Sequence, residues 1–278
     1  ADTLIKLTDN KDNSGLYTIT HPKDTTLQIG NDKDITEYRY RGANPKNYVT
    51  FNNEVWRIIG VFPTDDGTGK IENRIKIIKD QSIGNKYWDT SGEYGSNNWA
   101  RPATLNTELN TTYLNSLDST AQNMIGNAKY YLGGYNGSNV TVDTIYQYER
   151  KISGSGTYYY GTNPNSWTGK LALMYASDYG YASSNCENKR IYDSNSSSND
   201  IRACNTTNWL YNIKKDEWLL PQEASDRFNG VSVLSDGRVG SGNVIIDQFA
   251  VRPVLYLISS VQIAGGNGTS SSPYTLGL

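Results

Sequence analysis

Apolar and polar positions alternate in short runs, and the period of alternation changes along the chain. Residues 54–62, EVWRIIGVF, are a strongly apolar run. Tyr48, Val49 and Phe51 precede it across Asn52-Asn53, a pair suited to a tight hairpin turn because asparagine tolerates a left-handed backbone. After the loop PTDDGTGK, residues 74–80 set Ile75 and Ile77 between charged residues, and the alternation breaks at Ile78. A strand–loop–strand meander is the expectation here.

Between 102 and 131 the period lengthens. Leu105, Leu109, Tyr113 and Leu117 recur every four residues, behind Thr104 and with Glu108 in the first turn, which predicts a helix. Asp118-Ser119 can cap a second helix carrying Met124, Ile125 and Ala128, with Gly133-Gly134 as its stop. Residues 141–150 can form a further helix. Residues 170–182 read as a core strand or strand–turn, and 183–208 as a long Asn/Ser loop. Trp218-Leu219-Leu220 is a short strand, followed by a loop and then a hairpin arm with its turn at Asp236-Gly237. Ala250 to Leu257 reads as a buried strand, and 271–276 as an edge strand. Helices beside an antiparallel sheet make the expected class α+β.

Residues 1–40 are expected to be an arm of short strands, and 41–278 the main domain. The arm carries the apolar patch Leu4, Ile5 and Leu7, the strand-like Leu16 to Ile19, and a break at His21-Pro22. So small a core implies packing against the main domain or a neighbouring subunit. Leu4, Ile5 and Leu7 are therefore the candidate subunit contacts.

Composition narrows the function. The chain has 278 residues and a net charge of −2, with charges of both signs mixed, so neither nucleic acid nor an anionic membrane is the expected partner. No apolar stretch reaches the ~20 residues of a membrane span. Mean hydropathy is −0.62, yet there are 22 Tyr and 6 Trp against 4 Phe, too aromatic for a disordered chain. Such a tyrosine excess suits wet β-structure and also suits binding loops. Cys186 and Cys204 either pair, closing a loop worth about 3 kcal/mol, or stay as two free thiols. An even count in a polar loop favours pairing and an oxidising, extracellular setting. Ala1-Asp2-Thr3 reads as an end left by removal of a leader.

Candidate chemistry is sparse. The sole histidine, His21, lies in the arm with no evident orienting partner, and Cys186 and Cys204 lie far from it, so neither a catalytic triad nor a zinc site is expected. Asp216 with Glu217, and Glu223 with Asp226, are the best paired carboxylates for glycosidase chemistry, although solvated loop charges are the simpler account. DNKDNSG (9–15) has the flavour of a calcium loop, but Lys11 stands at its third position and the terminal Glu is missing. No phosphate loop or cofactor motif is present. Six N-x-Ser/Thr sequons, Asn110 among them, read as accidents of an Asn-rich chain. Trp56 reads as core. Arg57 and Arg252, in apolar strands, need partners, and Asp178 or Glu54 is expected to meet Arg252.

The ordered segments YRYRGANPKNYVTFNNEVWRIIGVF, RIKIIKDQSIG, NNWARPATLNTELNTTYLNSL, GKLALMYASDYGYA, NTTNWLYN and AVRPVLYLISSVQIAGGNGTSSSPYTL resemble a family of exported bacterial proteins with a C-type-lectin-like fold. Formylglycine-generating enzymes and the variable proteins of diversity-generating retroelements share that fold distantly. The resemblance implies a rigid sheet presenting irregular loops, an exported chain and a leader removed. It does not extend to oxidase activity, because Cys186 and Cys204 are far apart, nor to the usual calcium-dependent sugar motifs.

The leading expectation is a non-enzymatic surface or pilus-associated protein that binds a surface glycan, a protein or copies of itself, without a cofactor. Its candidate ligand face is the loop set 221–230 and 238–248. Gln222, Glu223, Asp226, Arg227, Phe228 and Arg238 are its polar and aromatic members, and Trp99 and Trp218 are either platforms or core. The alternatives are a filament subunit joined through the arm and a carbohydrate-active enzyme using the acidic loop residues.

Overall fold

Asn52 and Asn53 both take left-handed backbone, with φ of 53° and 56°, so the chain reverses in two residues and sets Phe51 opposite Glu54. This is the turn chemistry expected of an Asn pair between strands. It opens a fold made mainly of antiparallel strands with short helices between them. The computed structural model describes residues 1–91, 97–101, 103–136, 140–192, 204–211 and 213–278.

In chain order, α1 (Asp2–Ile5) precedes β1 (Tyr17–His21), β2 (Ile35–Arg39), β3 (Tyr48–Phe51), β4 (Glu54–Asp65), β5 (Ile71–Lys79) and β6 (Asn85–Lys86). A helical stretch follows: α2 (Thr104–Glu108), a π-helical turn (Leu109–Tyr113), α3 (Leu114–Ser116) and α4 (Ser119–Met124). Next come β7 (Ala128–Tyr131), β8 (Val140–Thr141), α5 (Val142–Glu149), β9 (Ser166–Gly169), β10 (Leu171–Ala172), α6 (Ala176–Tyr181) and β11 (Arg190–Tyr192). The last third holds β12 (Glu217–Gln222), β13 (Asn229–Val233), β14 (Val239–Asn243), β15 (Phe249–Ala250), β16 (Val254–Tyr256), β17 (Gln262–Gly265) and β18 (Thr275–Gly277).

One seven-stranded sheet runs β1-β2-β4-β5-β16-β10 with β3 beside β4, and a second runs β6-β15-β12-β13-β14-β11-β8. The class is therefore α+β, as the pattern predicts. Trp56, Ile58, Ile77, Leu171, Leu219, Val231 and Leu255 belong to one continuous buried core that draws on both sheets.

The interval of four in the helical stretch has a structural cause. It exceeds the 3.6 residues of an α-helical turn, and the π-turn, whose bonds reach five residues, makes up the difference. Leu105, Leu109 and Leu117 are all buried in consequence. Asp118 caps α4 by accepting from the Ala121 N–H at 2.7 Å. That helix stops at Met124 rather than running to Ala128. At Gly126 a β-carbon would lie 2.6 Å from the Arg74 guanidinium, and the Gly126 N–H donates to Tyr256 O. Ala128 then begins a strand instead of ending a helix.

The first forty residues are built into the main sheet. β1 pairs with β2 over five residues, and β2 pairs with β4. Leu4, Leu16 and Ile19 lie in the common core, Ile5 packs against it, and Leu7 is 43% exposed. Leu4 and Ile5 thus serve this chain's own interior, because α1 folds back onto it.

Arg252 meets neither Asp178 nor Glu54. It donates to both oxygens of Glu217, at 2.7 and 2.9 Å, and to Leu210 O at 2.7 Å. Asp178 is taken by Arg39 and Lys76, and Glu54 by Lys79. Arg57 donates to Asn47 Oδ1 at 2.7 Å and faces Asp80 at 3.5 Å. Cys186 and Cys204 are both buried and form a disulfide with Cα atoms 5.0 Å apart. Among the described residues no helix is long and apolar enough to cross a membrane.

Candidate functional site

The loop after β12 is fixed from below. The Asn97 side-chain amide lies 2.8–2.9 Å from three carbonyl oxygens, those of Glu223, Asp226 and Asn229. Gln222 is buried, with its Nε2 donating to Leu132 O and its Oε1 accepting from Asn163. Gly134 sits against the Gln222 backbone so closely that any β-carbon would overlap it. Asp226 accepts from the N–H of Phe228 and Asn229 and from the Asn229 amide, at 2.7–2.8 Å. Gln222 and Asp226 are thus committed to the frame of the loop, and Glu223 is buried within it.

Trp99 and Trp218 are core residues. Both are buried on either side of Trp88, with ring centroids 5.5 and 5.7 Å from it, and the Trp218 indole donates to Lys86 O. Neither presents a face to solvent: each meets Trp88 edge to face, at 74° and 72°, and Trp218 lies against Gly230 of β13 and Gly242 of β14.

What the frame leaves outward is smaller than the sequence suggests. Arg227 and Phe228 are half-buried, with the guanidinium 5.0 Å from the ring. The Val244 N–H donates to Phe228 O at 2.7 Å, which sets the loop after β14 alongside, and Ile246 on that loop is 68% exposed. Arg238 lies at the other end of β13–β14, paired to Asp236 at 2.7 Å, roughly 17 Å away by strand rise. The structure brings the two expected loops together at Phe228 but separates Arg238 from them.

A second feature escapes a reading of the sequence in short windows. His21 is buried and stacks on Tyr146, with centroids 3.5 Å apart and planes within 7°. Its Nε2 faces Glu37 at 3.3 Å and its Nδ1 faces Asp143 at 3.6 Å. Behind Glu37, Arg39 donates at 2.7 and 3.0 Å and also reaches Asp178 at 2.8 Å. Asp178 in turn pairs with Lys76. A line of ion pairs therefore runs from Asp143, whose side chain is 57% exposed, to the centre of the first sheet. Glu149 lies beside it, buried, paired to Arg150 and accepting from Ser177.

The electrostatics follow from these neighbours. Burial works against a charged His21, but Asp143 and Glu37 outweigh it and raise its pKa above the ordinary 6.5. Burial likewise works against a charged Glu37, yet Arg39 and His21 hold its carboxyl well below the usual range. For Glu149 burial dominates over Arg150 and raises the pKa. A chain of alternating charges is needed here because a lone buried ion is far costlier than a paired one.

One signal for His21 was present. Ile19 and His21 are two apart on a strand and so share a face, as do Ile35, Glu37 and Arg39 on β2, all of them buried. His21 borders a cleft of about 540 Å³ that also meets Lys23, Asp24, Asp143 and Gln147.

The calcium-like loop is closed on itself. Asp9 accepts from Ser14 and from the N–H of Lys11 and Gly15, while Asp12 pairs with Arg41 at 2.7 Å. Among the described residues no group of three His, Cys, Asp or Glu side chains is placed to hold a metal ion. Part of the Asn/Ser loop, 193–203, lies outside the described residues. No family model, curated protein or solved structure matches the chain.

Proposed function

We propose that this chain is a non-enzymatic binding module of the cell exterior, a lectin-like scaffold that engages a protein surface through Arg227, Phe228 and Ile246. The observation that carries this reading is the Asn97 clamp on the carbonyls of Glu223, Asp226 and Asn229. A loop already held by internal hydrogen bonds loses little entropy on binding. Arginine and large aromatic side chains are the types that dominate contact energy at protein interfaces. The buried disulfide supports an oxidising compartment.

Binding is favoured over catalysis because Glu217 and Asp226, two of the four carboxylates with a sequence case for glycosidase chemistry, are occupied by Arg252 and by loop backbone. It is favoured over assembly through the arm because Leu4, Leu16 and Ile19 already fill this chain's own core.

The test is a binding screen of the purified protein against displayed cell-surface proteins, run beside the double variant Arg227→Ala/Phe228→Ala. Binding that disappears in the double variant at an unchanged melting temperature supports the proposal. Retained binding by that variant, or loss of binding together with loss of fold, overturns it.

A further inference from the structure

We propose that the cleft beside His21 is a second, separate binding site, and that it takes an uncharged, hydroxyl-rich ligand, a pyranose unit of a glycan. The inference does not depend on the Arg227–Phe228 loop, which lies on a different sheet from β1.

Asp143 and Gln147 stand one turn apart on α5. The Gln147 Nε2 donates to Asp143 Oδ2 at 2.9 Å. A carboxylate only accepts, so the amide must turn its NH₂ toward Asp143 and its Oε1 away. Asp143 Oδ1 is occupied by the His21 ring and by the Tyr181 hydroxyl at 3.4 Å. Oδ2 takes only the Gln147 amide among the described residues and keeps a lone pair to offer. Two acceptors, Asp143 Oδ2 and Gln147 Oε1, are thus held side by side at the cleft by donors that belong to the protein. A ligand that satisfies both brings two adjacent donors.

Charge selects among such ligands. Lys23 faces the same cleft as Asp24 and Asp143, and Lys151 lies 3.5 Å from Asp24, so the charges around it balance. A guanidinium or ammonium ligand meets two cations there, and a carboxylate or phosphate ligand meets two carboxylates. Vicinal hydroxyls supply paired donors without net charge. Pro22, exposed at the rim, gives apolar surface for the C–H face of a sugar ring, and the almost fully buried Leu27 and Tyr146 close the floor beneath it. A volume of about 540 Å³ lies within the range of small-ligand sites.

His21 is the only histidine in the chain, so its imidazole proton resonances report on this cleft without assignment work. The probes are methyl α-mannoside, methyl β-galactoside and chitobiose, with agmatine and glucuronate as cationic and anionic comparisons. At least one neutral glycoside should shift the His21 resonances saturably, with affinity in the millimolar class, about −4 kcal/mol. Gln147→Ala removes one acceptor and should weaken it about three- to tenfold. Thr25→Trp, which fills the cleft from an exposed position, should abolish it, while Arg227→Ala/Phe228→Ala leaves it intact. Preference for agmatine or glucuronate overturns the proposal. So do silence of all three glycosides at about 10 mM and binding indifferent to both cleft variants.

Discussion

Arg252 and Glu217 form a two-point ion pair, at 2.7 and 2.9 Å, where the chain passes from the second sheet into the first. Both side chains are buried. The pair joins β12 to the segment between β15 and β16, so its loss is felt by both sheets. Removing one partner strands the other charge in the interior, at a cost of about 3–5 kcal/mol. Glu217→Gln should lower the melting temperature by roughly 6–20 °C for a chain of this size. The double replacement Glu217→Leu/Arg252→Met leaves no stranded ion and should recover much of the loss. Thermal unfolding of the three variants checks this, and a double variant no better than Glu217→Gln would refute it.

His21 makes stability depend on pH in a direction fixed by its neighbours. Its pKa is raised in the folded protein from the ordinary 6.5. The stabilisation is therefore complete below 6.5 and lost as pH rises through the folded value. Glu37 and Asp143 are depressed from 4.5 and 3.8, so their contributions are present above those values and lost as pH falls. The melting temperature should be highest between these limits and should decline on the alkaline side. Asp143→Asn should flatten the alkaline decline. The His21 imidazole resonance supplies the direct check, and a midpoint below 6.5 would contradict the assignment.

The same residue shows what a sequence can and cannot convey. The meander at Asn52-Asn53, the cap at Asp118 and the four-residue period of Leu105 to Leu117 are local, and each is legible because turn chemistry and periodicity are properties of neighbours in the chain. The fate of His21, Trp99 and Arg252 is not local. His21 stands in a polar stretch that suggests exposure, yet its partners are 16 and 122 residues further on, at Glu37 and Asp143. Arg252 was bound to need a carboxylate, but which carboxylate depends on how two sheets pack. The loop at 221–230 was legible as a loop. That Asn97 holds it was not, since an asparagine 126 residues from Glu223 carries no mark of the contact.

The disulfide closes a loop of 18 residues, which contributes about 3 kcal/mol through the unfolded chain. Because Cys186 and Cys204 are buried, the native protein should resist mild reductant and yield to it only near its unfolding transition. The double variant Cys186→Ser/Cys204→Ser should melt roughly 6–12 °C lower, while circular dichroism of the folded state stays the same. Thiol labelling of the unreduced, unfolded protein should find no free sulfhydryl, and one that does would remove the bond from the account.

Asn110 links the π-turn to the edge of the first sheet. Its amide donates to Leu171 O at 2.9 Å and its carbonyl accepts from the Leu171 N–H at 2.9 Å. The side chain thus imitates the next strand and completes β10, whose outer edge has no strand beside it among the described residues. The widened π-turn is part of the reason, since one residue more per turn changes which side chain faces Leu171. Asn110→Ala leaves two backbone groups of a buried residue without partners, each costing about 1–3 kcal/mol. A stability loss of about 2–6 kcal/mol in denaturant titration is expected. Asn110→Asp restores the acceptor but not the donor, and should fall between the two. An alanine variant as stable as the parent would show that water replaces the amide at this edge. A glycan on Asn110, which stands in an N-x-Thr sequon, is incompatible with the paired bonds and should be absent from native material by peptide mass mapping.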